Sequence, residues 1–168
     1  MFVLSFAVFL LTGISFAQNS ASSKRAPFKL TVAVDKKSFY EEEIKESSYI
    51  LPDNTIQLYP GETIYVEVVH ENGVIKSLNV VKEIIDSSKT LTIQFTQTSD
   101  KKVHQLMMLK IENPFTYNLN YKSKIFLLRP MKWADTDVYP VQAKLAAFET
   151  WPDVITSIAL NDLKFEIR

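Results

Sequence analysis

The residues best equipped for catalysis are scarce in this chain, which has two histidines and no cysteine in 168 residues. His70 stands at the end of a strand pattern beside Asn72-Gly73, and His104 stands inside another strand pattern. Two imidazoles that share a metal on a helix need the i, i+4 spacing, and these lie far apart in sequence. Both are read as ordinary strand and turn residues on solvated faces. Without cysteine there is no disulfide, no thiolate metal site and no catalytic thiol. No Gly-x-Ser-x-Gly, no glycine-rich phosphate loop and no His-Glu-x-x-His occurs, so no nucleophile–base pair is nominated.

Carboxylates offer a second chemistry. Glu41-Glu42-Glu43 reads as a solvated face, because adjacent side chains do not converge on one substrate as an acid/base pair must. Asp135 and Asp137 stand at i, i+2, a spacing that lets two oxygen ligands share a cation. The glycine and distal glutamate of a true calcium loop are missing around them, so no metal site is assigned. A glycosidase with two acids far apart in sequence stays open as a residual reading. The expectation is a non-catalytic chain that needs no cofactor, with a small carboxylate-dependent hydrolase as the residual.

Aromatic residues give the strongest lead toward a ligand. Trp133 lies in Arg129-Pro130-Met131-Lys132-Trp133-Ala134-Asp135, and Trp151 in Glu149-Thr150-Trp151-Pro152-Asp153. Both segments read as polar, proline-flanked loops. An indole beside acidic or basic neighbours can stack on the apolar face of a sugar while those neighbours bind its hydroxyls. The candidate binding residues are therefore Trp133, Asp135, Asp137 and Trp151. The competing reading is that both indoles close the ends of the fold, each with its Nε1–H on a loop carbonyl.

The elements that must position these residues are strands. Phe28, Leu30, Val32 and Val34 alternate with Lys29, Thr31 and Ala33, the period of a half-buried strand. Ile64, Val66 and Val68 repeat the pattern after the Pro60-Gly61 turn, and Asn72-Gly73 then predicts a two-residue hairpin turn. A second hairpin is expected around Ser99-Asp100-Lys101-Lys102, between Thr90–Thr96 and Val103–Ile111. Asn113-Pro114-Phe115 breaks the chain, because proline lacks a ladder donor and restricts the preceding residue. Leu119–Tyr121, Ile125–Leu128, Ile158–Leu160 and Leu163–Ile167 complete the strand pieces, the last two meeting at an expected Asn161-Asp162 turn. Ser38–Ser48 reads as an exposed helical turn or a long loop, Trp133–Asp137 as a loop, and Val141–Thr150 as a short helix or a strand. About eight closely spaced strands with turn chemistry between them predict an all-β antiparallel β-sandwich of immunoglobulin-like architecture.

Organisation and location follow from the ends and the bulk composition. Residues 1–17 are apolar and uncharged and finish Ser15-Phe16-Ala17 before polar Gln18-Asn19-Ser20, the layout of a secretory signal peptide. The apolar run is broken by Ser5, Thr12, Gly13 and Ser15 and is too short to span a membrane, so no stable membrane span is expected after cleavage. Residues 18–27 read as a polar tether and residues 28–168 as a single domain, long enough to bury a core. An exported chain with neither cysteine nor an Asn-x-Ser/Thr acceptor points to a bacterial periplasmic or secreted protein. Lys+Arg and Asp+Glu both total 19, and that balance leaves no electrostatic footprint for nucleic acid. The partner class expected is another envelope or secreted protein, with a carbohydrate as the alternative.

Overall fold

The computed structural model describes residues 24–167. The leader reading (1–17) and the first part of the expected tether (18–23) lie outside the described residues. Every described element is a strand, and thirteen are present where about eight were expected. They are β1 (Lys24–Arg25), β2 (Phe28–Asp35), β3 (Ser38–Ile44), β4 (Ser47–Ser48), β5 (Ile56–Leu58), β6 (Glu62–Glu71) and β7 (Val74–Val81). The remainder are β8 (Thr90–Asp100), β9 (Val103–Glu112), β10 (Leu119–Leu127), β11 (Lys132–Thr136), β12 (Ala146–Trp151) and β13 (Ile155–Phe165). All pairings are antiparallel.

Two sheets carry the main core. One has the order β12-β9-β8-β6-β7 and the other β11-β10-β13-β5. Alternate residues of both sheets meet in a single cluster. Ile64, Val66, Ile93, Phe95, Leu109 and Ile111 come from the first sheet, and Leu58, Leu119, Ile125, Ile158 and Leu160 from the second. This follows from the period of 2 along each strand, which places every second apolar side chain on the covered face. A separate two-stranded sheet, β2-β3, forms its own small core from Leu30, Val32 and Ile44, against which Phe28, Tyr40, Tyr59 and Val154 pack.

The undercount of strands comes from short elements that sequence periodicity cannot reveal. Ser38–Ile44 is a strand rather than a helical turn or loop because Tyr40, Glu42 and Ile44 pair opposite Val32, Leu30 and Phe28. Glu41 and Glu43 are left outward, and Lys29 pairs with Glu41 at 2.8 Å. Trp133 lies in β11 rather than in a loop, since Lys132–Thr136 completes the edge of the β10 ladder. The Val141–Thr150 ambiguity resolves to a strand at Ala146–Trp151, paired along β9. Asn161-Asp162 is not a turn. It is a bulge in a continuous β13, where Asp162 and Leu163 together face Tyr121 and Asp162 takes φ +54°. Aspartate tolerates that conformation better than most residues, and its carboxylate pairs with Lys122 at 3.1 Å and Lys164 at 3.7 Å.

Lys24-Arg25 belongs to the fold and not to a solvated tether. Arg25 is only 2% exposed. Its Nε and Nη2 donate to Glu62 Oε1 at 2.8 Å and Oε2 at 3.0 Å, its Nη1 to Ser47 Oγ at 2.9 Å and the Ser48 carbonyl at 3.4 Å, and its Nη2 also to the Gln57 carbonyl at 2.7 Å. Tyr49 and Tyr59 flank the guanidinium, with ring centroids 4.5 and 4.8 Å away. Each N–H of the group thus has an acceptor, the condition under which a cation can be buried.

Both hairpin turns in the five-stranded sheet have two central residues. Asn72 (φ 49°) and Gly73 (φ 81°) connect β6 to β7, and Lys101 (φ 46°) and Lys102 (φ 70°) connect β8 to β9. Such turns need positive φ at both positions, where lysine is strained and Asn-Gly is not. Replacing Lys101-Lys102 by Asn-Gly should stabilise the protein by about 1 kcal/mol, raising the thermal midpoint by about 2–4 °C. Circular dichroism melting checks this, and an unchanged or lower midpoint would contradict the turn geometry.

Candidate functional site

The four residues singled out by sequence do not converge. Along β10, Tyr121, Ser123 and Ile125 face the core while Lys122 and Lys124 face outward. Register then assigns the faces of β11: Thr136 and Ala134 lie with the core residues, Trp133 beside Phe126 and Asp135 beside Lys124. Trp133 is therefore on the outer face, 43% exposed, with its ring edge-on to Phe126 at 5.4 Å. Asp135 pairs with Lys124 at 3.5 Å, and Asp137 is exposed just beyond the strand. Trp151 points to the opposite side, packed partly against the main core, with its Nε1–H donating to Thr136 Oγ1 at 2.9 Å. The closing role foreseen for the indoles fits Trp151, with a hydroxyl in place of the carbonyl as acceptor.

Among the described residues no three His, Asp or Glu side chains stand together as a metal cage.

A different set of residues lines a shallow apolar cleft. The β2–β3 hairpin end and the β10–β11 connection flank an open hollow of about 530 Å³ lined by Val34, Ser38, Phe39, Tyr40, Leu128, Arg129, Pro130 and Met131. Phe39 is 44% and Met131 61% exposed, so two large apolar side chains stand in water at its rim. A neighbouring hollow of about 250 Å³ shares Val34, Leu128 and Arg129 and is closed by Pro152, Asp153 and Val154. The Leu128 N–H donates to the Val154 carbonyl at 2.9 Å, which joins the end of β10 to the start of β13 beneath the cleft.

Electrostatics at the cleft are set by close hydrogen bonds. The Lys37 backbone N–H, 2.9 Å from Asp35 Oδ1, and the Ser38 hydroxyl hold the Asp35 carboxyl below its ordinary value, with a smaller contribution from Arg129. The contribution of Asp35 to stability is accordingly present above the usual carboxylate range and is lost as pH falls through its lowered value. Tyr40 donates to Glu42 Oε2 at 2.7 Å, and this bond, with burial, pushes its phenol up to about 12. Its contribution is complete below the ordinary tyrosine value and is lost as pH rises through about 12.

Both histidines are more enclosed than solvated faces would make them. His70 stands edge-on to Phe115, Tyr117 and Phe165, with centroids 5.3–5.7 Å apart, and its Nδ1 is buried without a hydrogen-bond partner. His104 has a partner on each ring nitrogen. Tyr121 Oη and Ser123 Oγ are also buried and unpartnered. Sequence reading missed the cleft because its walls come from segments about a hundred residues apart, and the break at Pro130 was the only local signal.

The two tryptophans should separate cleanly in stability. Trp151→Ala, which removes partly buried core contacts and strands Thr136 Oγ1, should cost about 2–3 kcal/mol, whereas Trp133→Ala should stay within about 0.5 kcal/mol of wild type. Urea unfolding measures both, and equal costs would contradict the opposite orientations.

No family model matches this chain, and neither a curated protein nor a solved structure matches it.

Proposed function

We propose that this is an exported, non-catalytic β-sandwich module of immunoglobulin-like architecture that binds another envelope or secreted protein. The docking surface in this reading is the cleft between the β2–β3 hairpin and the β10–β11 connection. The observation that carries it is the exposure of Phe39 and Met131 at the rim of that ≈530 Å³ cleft. Apolar side chains of this size, gathered at one concave place and rimmed by polar groups, are characteristic of interaction sites. Arg129 in the lining suits a partner segment that brings an apolar side chain together with a carboxylate. The bacterial periplasm or the external medium is the compartment this reading requires, from the leader pattern of residues 1–17.

A photocrosslinking amino acid at position 39, compared with one at Glu67 on the outer face of the other sheet, tests the proposal. A single adduct of defined mass is expected from position 39 in envelope extract, and Met131→Asp should abolish it. Equal adducts from both positions, or indifference to Met131→Asp, would remove the cleft as the docking surface.

A carbohydrate-binding module is the second reading, favoured by the outward Trp133 beside Phe126 and the Lys124–Asp135 pair on the same sheet face. It draws on Trp133 and Asp135 together and excludes Trp151, which faces the other way. Trp133→Ala should then abolish retention on immobilised glycan while leaving the thermal midpoint in place; retention unaltered by the substitution would end this reading.

A further inference from the structure

Behind the cleft, polar groups from three distant segments meet in a line. The Gln97 amide on β8 lies along β2 as a strand would. Its Oε1 accepts from the Ala33 N–H at 2.8 Å, and its Nε2 donates to the Ala33 carbonyl at 2.8 Å. The same Nε2 lies 2.8 Å from His104 Nδ1, and His104 Nε2 lies 2.9 Å from the Pro152 carbonyl. A carbonyl only accepts, so Nε2 carries the proton. In the neutral ring Nδ1 is then a lone pair, and it takes the remaining Gln97 N–H.

One end of this line stands beside the β2 wall of the cleft and the other at the rim of the neighbouring hollow. Ala33 immediately precedes Val34, which lines both hollows, and Pro152 lines the smaller one with Asp153 and Val154. We infer that His104 is an acid-sensitive latch beside the cleft, tying the β2 wall through Gln97 to the Pro152 segment of the adjoining hollow when neutral and cutting that tie when protonated. The inference rests on the reading of the cleft as the docking surface, and it names the control of that site.

Protonation puts an N–H on Nδ1, directly opposite the Gln97 NH₂. The amide cannot relieve this by turning over, because that would set its oxygen against the Ala33 carbonyl and its nitrogen against the Ala33 N–H. Either the imidazole–amide bond or both bonds to β2 must break. The charged side chains on the elements around it are Asp100 at the end of β8, Lys101 and Lys102 in the β8–β9 turn, Lys110 and Glu112 on β9, Glu149 on β12, Asp153 after Pro152, and Lys29, Asp35, Lys36 and Lys37 on or just after β2. The ring nitrogens themselves meet only the neutral Gln97 and Pro152 groups. Histidine is the side chain that ordinarily changes charge between about pH 5 and pH 8, which sets the range of the test.

The Ala33 amide proton reports directly on this device. Its hydrogen exchange, followed by NMR in the protein without any partner and corrected for intrinsic rates, should lose about tenfold protection between about pH 7 and about pH 5. His104→Gln should hold that protection level across the same range. Constant protection in the wild type, or the same loss in His104→Gln, would overturn the latch. With no partner in the sample, failure of the latch leaves the docking proposal standing, and failure of the crosslinking leaves the latch standing.

Discussion

The structure turns on one buried cation. Arg25 enters from the first described strand and reaches Glu62 at the head of β6, with the Tyr49 and Tyr59 rings on either side. Tyr49 packs on the main core and Tyr59 on the small core under β2-β3. Glu62 also accepts from the Tyr59 N–H at 2.7 Å, so it fixes the Pro60-Gly61 turn that launches β6. A guanidinium this deep is tolerable only because every donor is met and its charge is balanced by a bidentate carboxylate. The consequence is that β1, β4, the β5–β6 turn and both cores share one electrostatic joint.

That joint explains how a two-stranded appendage becomes part of a functional surface. An isolated hairpin is marginal in water, yet β2-β3 forms one wall of the cleft. It is held from one side by its small core and the Arg25 group, and from the other by the Gln97 bridge to Ala33. The rest of the molecule is a conventional apolar core between two sheets. The cleft therefore sits where a rigid body meets an element held by a few identifiable polar contacts, which is where a structure can be adjusted at low energetic cost.

Much of the fold was legible in the residues themselves. Ile64-Val66-Val68 and Leu91-Ile93-Phe95 announce their buried faces by period, and Asn72-Gly73 announces its turn by chemistry. Elements whose strand character comes from a partner were not legible. Ser38–Ile44 looks like a loop or helical turn until β2 stands opposite it, its three glutamates staying solvated, and Asn161-Asp162 looks like a turn until β10 holds it as a bulge. The place of Arg25, within the expected 18–27 tether, is hidden for the same reason, since nothing local marks Glu62 as its counter-ion. Trp133 and Trp151 were recognised as residues of interest, but their opposite orientations depend on sheet register and could not be seen in sequence. Phe39, Arg129 and Met131 come together only through topology.

The central claim, that the Arg25–Glu62 pair joins the two cores, is tested most directly by a double-mutant cycle read in urea unfolding. Arg25→Met alone leaves a largely buried carboxylate without its cation and should cost about 3–5 kcal/mol. Adding Glu62→Leu removes the stranded charge and should recover a large part of that loss, giving a coupling energy of about 2–3 kcal/mol. Additive costs, with coupling below about 0.5 kcal/mol, would contradict the account and reduce Arg25 to a peripheral residue.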